Sequence, residues 1–206
     1  MSVDVNWGKY RDDALSAVRN RGVIPISDEI TTELSTIVSE CALEAMLRRI
    51  KRLTVLIDSC GGNTNAGIGI ANALSLIAAN GVEVTGLVLS RAFSSAFMIL
   101  QSCQTRVACR GACLMMHWGQ TRLQNDELNA IMKGEEDWVL AQIRDSRREM
   151  IAIFAKRSGL EEEVLWRMCE QEMWLYPTRA KELNLIDRIE DAGAYEIPAP
   201  TDRNSS

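Results

Sequence analysis

The stretch from Val82 to His117 constrains the fold of this chain more than any other. Its first part, up to about residue 89, alternates and then becomes apolar throughout, a pattern typical of a buried strand. At residues 90–91 this pattern breaks into small residues, and an apolar helical run follows. A strand that leads through a tight turn into a helix leaves the turn residues at a sheet end, beside the free N–H groups of the helix.

Two polar side chains occupy chemically useful places in this stretch. Ser94 lies where the strand meets the helix, and His117, the single histidine, ends a short apolar run that predicts another buried strand. A serine at a helix start and a histidine at a strand end are components of a serine hydrolase, provided that folding brings them together. Spacing alone also allows Ser94 to be a helix cap, with Ser95 as the nucleophile, and His117 to be structural.

Composition limits the other possibilities. The chain has 206 residues, 47% of them hydrophobic, and a net charge of −5. It can therefore bury a core as one domain without a metal or disulfides, and nucleic acid is not an expected partner. Because the N-terminal sequence lacks a signal-peptide core and no apolar run reaches membrane-spanning length, we expect a cytoplasmic protein with no membrane partner.

The six cysteines would be reduced thiols in the cytoplasm. Cys103, Cys109 and Cys113 cluster in the sequence, but no Cys-x2-Cys pair occurs. We therefore expect buried structural thiols and no metal site.

Strand and helix patterns alternate through the first half of the chain. The β-rich run 22–26 contains Pro25, which confines it to a sheet edge or a strand end. Ser27 or Asp28 is the predicted cap of a helix that reaches about residue 48. The apolar strand 53–58 ends in paired glycines and is followed by a helix over 64–79. This alternation predicts a parallel α/β layer built from ββα-like units.

The second half predicts a long helix and a loose end. Residues 126–156 form a helical tract interrupted only by Gly134, about 45 Å long at about 1.5 Å per residue. Such a helix would project from a compact domain, and its apolar face would need another subunit to cover it. We divide the chain into a short N-terminal segment (1–21), one domain (22–190) and a flexible C-terminal tail (191–206).

Several motifs together resemble the proteolytic subunit of the Clp protease, ClpP, over about residues 10–189. Residues 57–62 read Ile-Asp-Ser-Cys-Gly-Gly, similar to the family's Ile-Asn-Ser-Pro-Gly-Gly. Residues 90–96, Ser-Arg-Ala-Phe-Ser-Ser-Ala, match the segment of the nucleophile. Residues 106–117 match the strand pair that ends in the family's histidine, and residues 185–187 match its closing Leu-Val-Asp motif.

The resemblance implies a serine endopeptidase with a spiral of ββα units, the ClpP/crotonase-like α/β fold, and a protruding helix. Ser94 would be the nucleophile, His117 the general base and Glu172 the carboxylate that orients it. The backbone N–H groups of Gly62 and Ser95 would form the oxyanion hole, and no cofactor is implied.

The resemblance also implies partners. Family members form rings, in stacked heptamers, whose long helices interlock, and they receive unfolded polypeptides from an AAA+ unfoldase that uses ATP. Because the segment before the first predicted strand is short, we expect the axial hairpin of the family to be abridged or absent.

The chain departs from the family pattern at several positions. Cys60 replaces a proline and Ser90 a glycine, which is tolerable only if neither backbone position needs a positive φ. Glu172 replaces an aspartate and is longer by one methylene, so Glu170 and Asp187 stay open as alternatives. These departures leave two alternative functions: an impaired ring subunit with a structural or regulatory role, and a crotonase-type acyl-CoA enzyme.

Overall fold

The computed structural model describes residues 5–119, 124–135 and 137–199. Within these residues the chain alternates between helices and strands, and the predicted α/β fold class is confirmed. In chain order the elements are α1 (Trp7–Arg21), β1 (Val23–Ile30), α2 (Thr32–Leu47), β2 (Arg52–Gly62), α3 (Thr64–Ala79), β3 (Glu83–Phe93), α4 (Ser95–Ser102), β4 (Thr105–Cys109), β5 (Cys113–Met116), α5 (Asn125–Lys133), α6 (Asp137–Ser158), α7 (Glu162–Glu170), β6 (Met173–Leu175), α8 (Pro177–Glu182) and β7 (Arg188–Glu190).

The strands form one sheet in the order β1-β2-β3-β4-β7, with β5 paired to the far end of β3 and β6 paired to β5. All of these pairs are parallel except β5 with β6, which is antiparallel. Pro25 lies in the edge strand β1, as predicted, where its missing N–H interrupts no central ladder. Because the carboxyl ends of parallel strands share one edge, the segments that follow β2, β3 and β5 meet there.

The core lies between this sheet and the helices that cover it. Helix α4 is the most deeply enclosed, because every residue from Ser95 to Gln101 is buried. Its Phe97 meets Phe154 of α6 edge to face, with 5.3 Å between the ring centroids. Helix α1 also belongs to the core packing, since Ala14 and Val18 are both buried in it.

The predicted start of the second helix is wrong. Strand β1 continues to Ile30, and the helix α2 begins after Thr31, whose Oγ1 accepts a hydrogen bond from the Leu34 N–H at 3.2 Å. The reason is pairing with β2: Ser27 stands opposite Asp58, and Glu29 opposite Gly61, with an irregularity between them. Ladder hydrogen bonds there satisfy backbone groups that a helix start at Ser27 or Asp28 would have used.

The predicted single helix over 126–156 is also wrong, because two helices occupy this tract. Helix α5 ends at Lys133, and Gly134 has a φ of 75° and donates its N–H to the carbonyls of Ala130 and Ile131. A glycine in this left-handed conformation ends a helix. Helix α6 then runs for 22 residues, or about 33 Å; residue 136 lies outside the described residues.

Both helices of this tract leave apolar side chains exposed. The exposed fractions range from 40% for Ile131 to 86% for Met132 on α5, and reach 48% for Leu140 and 46% for Ile153 on α6. Such a concentration of exposed apolar surface is unusual in a monomer.

The chain ends are described only in part. Residues 191–199 contain no helix or strand. The rest of the predicted tail, residues 200–206, and the first four residues of the predicted N-terminal segment lie outside the described residues. Along the described part of the chain, no helix has both the length and the apolar composition needed to cross a membrane.

Candidate active site

Ser94 lies at the turn between β3 and α4. Its φ of 55° and ψ of −120° are unusual for a residue with a side chain, and this conformation is strained. The Ser94 N–H donates to the Met115 carbonyl at 2.9 Å, which holds the turn against β5. The side chain makes no capping hydrogen bond to α4, so its hydroxyl is free to contact other groups.

His117 follows directly after β5 and meets Ser94. The distance from His117 Nε2 to Ser94 Oγ is 2.9 Å, within hydrogen-bonding range. His117 follows Met115 by two residues in the chain. The hydrogen bond from the Ser94 N–H to the Met115 carbonyl therefore brings the side chains of Ser94 and His117 close together. The His117 side chain is 27% exposed, which leaves the pair open to solvent or a ligand.

Glu172 lies beside His117 because of the antiparallel pairing of β5 with β6. Met116 stands opposite Met173, so the next residues outward, His117 and Glu172, face each other. His117 Nδ1 and Glu172 Oε2 are 3.9 Å apart, longer than a hydrogen bond. Glu172 has a positive φ of 49°, and its side chain is 56% exposed.

The two alternative acids have other partners. Glu170 accepts a hydrogen bond from Trp166 Nε1 at 2.8 Å. Asp187 binds the side chain of buried Arg106 through both carboxylate oxygens, at 2.7 and 3.1 Å. Glu172 is therefore the acid of the three that faces His117.

Ser95, the alternative nucleophile, is directed into the protein. It is only 5% exposed, and its Cβ would be 2.8 Å from a Cβ added to Gly67 of α3. Its hydroxyl finds no hydrogen-bond partner among the described residues. Its side chain thus packs against α3, while its backbone N–H lies in the first turn of α4.

The paired glycines after β2 approach the backbone of this turn closely. A Cβ on Gly61, which has a φ of 86°, would lie 2.5 Å from the Phe93 carbonyl and 2.8 Å from Ser94 Cβ. A Cβ on Gly62 would lie 2.4 Å from the Ile30 carbonyl of β1. Only glycine fits either position, and Gly61 is the one in contact with the serine turn.

Ser59 supports these glycines, a role that sequence reasoning missed. Its side chain is fully buried; the hydroxyl donates to the Asp28 carbonyl and accepts from the Gly61 N–H at 3.1 Å. The only signal in the sequence was its place in the motif over residues 57–62.

Cys60 and Ser90 replace a proline and a glycine of the family motifs, which is tolerable only if neither position needs a positive φ. Neither Cys60 nor Ser90 is among the described residues with a positive φ. Asn184, which lies just beyond α8, has a φ of 53°. Its Nδ2 donates to the Ser158 carbonyl at 2.8 Å, and asparagine is the second choice in this conformation.

The six cysteines lie at separate places in the structure. No group of three or more metal-binding side chains comes together among the described residues. Burial raises the pKa of the Cys41, Cys103 and Cys169 thiols to about 12, so they are neutral at physiological pH. The expected burial is wrong for Cys60, which is exposed, and Cys113 is only half-buried; no disulfide joins any of the six.

Known proteolytic subunits are similar to this chain at low identity. The ATP-dependent Clp protease proteolytic subunit of Bacteroides fragilis is 24% identical over 140 residues, covering 68% of this chain and 64% of that protein. The corresponding subunit of Chlorella vulgaris is 25% identical over 166 residues, covering 80% and 77%. Subunit 2 of Treponema denticola is 24% identical over 180 residues, covering 86% of each.

The chain therefore spans slightly less than two thirds of the Bacteroides relative and more of the other two. A family model described as Clp protease matches residues 7–193. This match runs from α1 to beyond β7 and includes every residue of the candidate site. On the strength of this match, the chain belongs to the Clp protease family.

Proposed function

We propose that the protein is a serine-type endopeptidase with Ser94 as nucleophile and His117 as general base. The observation that carries the proposal is the 2.9 Å contact between Ser94 Oγ and His117 Nε2. It occurs at a turn whose strained backbone projects the serine away from its own helix. A nucleophile within hydrogen-bonding reach of a base is the basic requirement of this chemistry.

Each group has a defined part in the proposed reaction. Ser94 Oγ attacks the carbonyl carbon of a peptide bond while His117 Nε2 takes its proton. The N–H groups of Gly62 and Ser95 bind the oxyanion that forms, and Glu172 stabilises the protonated imidazole. His117 then gives the proton to the leaving amine, and water, activated by the same base, hydrolyses the acyl-enzyme and restores Ser94.

We further propose that the protein works as a cytoplasmic ring, in stacked heptamers, that receives unfolded polypeptides from an AAA+ unfoldase. The relatives are named as proteolytic subunits of an ATP-dependent protease. The exposed apolar side chains of α5 and α6 support a subunit interface there.

One observation favours a second candidate, an impaired ring subunit with a structural or regulatory role. The carboxylate of Glu172 lies 3.9 Å from the imidazole and is more than half exposed, so it restrains the ring weakly. Catalytic hydrogen bonds are often long without substrate, and for this reason we rank the peptidase first. No comparable observation favours an acyl-CoA enzyme.

The test is labelling by a fluorophosphonate probe, which reacts with activated serines. We expect the intact protein to label, Ser94→Ala and His117→Ala to lose labelling, and Ser95→Ala to keep it. Native mass on the same samples reports assembly. A correctly assembled ring that does not label would contradict the peptidase and favour the impaired subunit.

A further inference from the structure

Trp118, the residue after His117, lies in a cluster of three side chains from three parts of the chain. Its ring contacts the ring of Trp166 of α7, with 4.7 Å between centroids and 60° between planes. Arg147 of α6 places its Cζ 5.0 Å from the Trp118 ring centroid, in cation–π geometry. The Trp118 Nε1–H donates to no acceptor among the described residues, so ring contacts hold the side chain there.

The backbone of the same segment is tied to Glu172 through one carbonyl group. The Cys169 carbonyl, at the end of α7, accepts the Trp118 N–H at 3.3 Å and the Glu172 N–H at 3.4 Å. Both hydrogen bonds are longer than the usual 2.9–3.0 Å or so for N–H···O, and therefore weak. They nevertheless connect the residue that follows the base to the residue that carries the acid.

The ring contacts of Trp118 reinforce the two weak hydrogen bonds to the Cys169 carbonyl. Trp166 lies on α7, the helix that ends just before Glu172, and its Nε1 donates to Glu170 of the same helix at 2.8 Å. The contact of Trp118 with Trp166 therefore holds the end of β5 against α7. Arg147 joins the cluster from α6, so that three elements meet at the Trp118 ring.

The contact of the Glu172 carboxylate with His117 is weak. The Glu172 carboxylate is 56% exposed and lies 3.9 Å from His117. The left-handed backbone of Glu172 and the position of α7 decide where this carboxylate can reach. A shift of about 1 Å between catalytic groups can slow a reaction about 100-fold. A contact that holds α7 in place therefore affects the reaction rate, because it controls the distance between His117 and Glu172.

We infer that Trp118, held by Trp166 and Arg147, is a positioning residue that fixes His117 and Glu172 relative to each other. This role rests on the proposed function, because it acts on the base and the acid of that reaction. The ring contacts of Trp118 are with Trp166 and Arg147, so we assign it a positioning role and no direct part in the chemistry. The indole rings supply a broad, rigid contact with few rotatable bonds, which suits this task.

The experiment is a double-mutant cycle on the full-length protein, read as the rate of inactivation by a fluorophosphonate probe. We expect Trp118→Ala to slow inactivation about 10- to 100-fold, whereas Trp118→Phe, which keeps an aromatic ring, restores most of the rate. In a Glu172→Gln background, Trp118→Ala should slow the reaction by less than about threefold, because residues that act through one another are not additive.

Two further variants complete the design. Trp166→Ala removes the same contact from the other side and replaces Trp118→Ala if that variant fails to fold. Arg147→Met should slow inactivation, and its matched control Arg148→Met should not, since Arg148 is 66% exposed and contacts only Asp145 across 3.8 Å among the described ion pairs.

The outcomes separate the two proposals. Equal loss of rate with and without Glu172→Gln, or a Trp118→Phe variant as slow as Trp118→Ala, overturns the positioning role while the peptidase stands. If the Glu172→Gln variant is inactivated too slowly for a rate to be measured, the comparison of Trp118→Phe with Trp118→Ala decides whether Trp118 has the positioning role. An intact protein that never labels overturns both proposals together.

Discussion

Ser94 shows how a single residue can be held in a costly conformation by its surroundings. A positive-φ backbone of this kind costs a residue with a side chain about 1–3 kcal/mol. Three contacts hold it here: the hydrogen bond to the Met115 carbonyl, the close approach of Gly61, and the buried α4 that begins at the next residue. This backbone conformation directs the hydroxyl to His117 and away from the capping position.

Replacing Gly61 tests this arrangement. Gly61→Ala adds a Cβ that would lie 2.5 Å from the Phe93 carbonyl, at a φ of 86° that alanine avoids. We expect a loss of about 2 kcal/mol or more in the free energy of unfolding, and slower labelling of Ser94. Urea denaturation measures the free energy of unfolding, and probe labelling of the folded protein measures the reactivity of Ser94.

The control for this prediction is Gly111→Ala. Apart from its own residue and its two chain neighbours, no described atom lies within 4 Å of a Cβ at that position, so we expect the free energy of unfolding to change by about 0.5 kcal/mol or less. Comparable losses in the two variants would show that close packing at Gly61 does not support the serine turn.

At the scale of elements, a buried polar group joins β4 and α4 to the segment that precedes β7. Arg106 is 2% exposed; its side chain binds Asp187 and donates to Gln101 of α4 at 2.9 Å. Gln101 in turn donates to the Leu185 carbonyl at 3.0 Å. A buried guanidinium is stable only when such partners satisfy its donors, so these contacts fix the end of α4, the helix that begins directly after Ser94.

This network predicts a pH-dependent stability. Burial by itself would raise the pKa of the Asp187 carboxyl, but the hydrogen bonds from the Arg106 side chain and backbone N–H outweigh it and lower that pKa. A lowered folded-state pKa contributes stability above the ordinary aspartate value of about 4, and this stability is lost as the pH falls through the lowered value.

Asp187→Asn measures that contribution. We expect the variant to be less stable than the intact protein at pH 7, because it leaves Arg106 without its anion, and the difference to narrow below about pH 4. Thermal unfolding midpoints of both proteins between pH 7 and pH 3 test this. Parallel curves over the whole range would contradict a role for the Asp187 charge.

At the scale of the whole molecule, exposed apolar side chains on α5 and α6 point to assembly. Helix α6 exposes 48% of Leu140 and 47% of Trp138, although Val139 between them is fully buried. Exposed apolar residues at this density usually belong to an interface. The proposed ring gives these side chains a partner surface.

A charge on this surface should prevent assembly. Leu140→Glu places a carboxylate where we expect apolar contact, and burying it without a partner is costly. We expect a smaller native mass for this variant, measured by sedimentation or native mass spectrometry. Gln142→Glu adds the same charge at an exposed polar position and should leave the mass unchanged; an unchanged mass in both variants would exclude Leu140 from the interface.

Much of this molecule could be predicted from its sequence alone. Hydrophobic periodicity located the alternating strands and helices, because side-chain burial on a strand or a helix follows a local repeat. The edge position of Pro25 followed from its missing N–H. The sequence also singled out Ser94 and His117 as a candidate pair, on the condition that folding brings them together.

Only the tertiary structure decided which acid faces His117, where α2 begins and where the long helical tract breaks. Glu172 faces the imidazole because β5 and β6 pair in one particular register, and Glu170 and Asp187 are bound elsewhere. Pairing with β2 likewise extends β1 through the predicted helix start. Register and hydrogen-bond partners join residues far apart in the chain, and local sequence patterns carry no record of such pairings; the break at Gly134 depends on whether a glycine adopts a left-handed φ, which its identity allows but does not require.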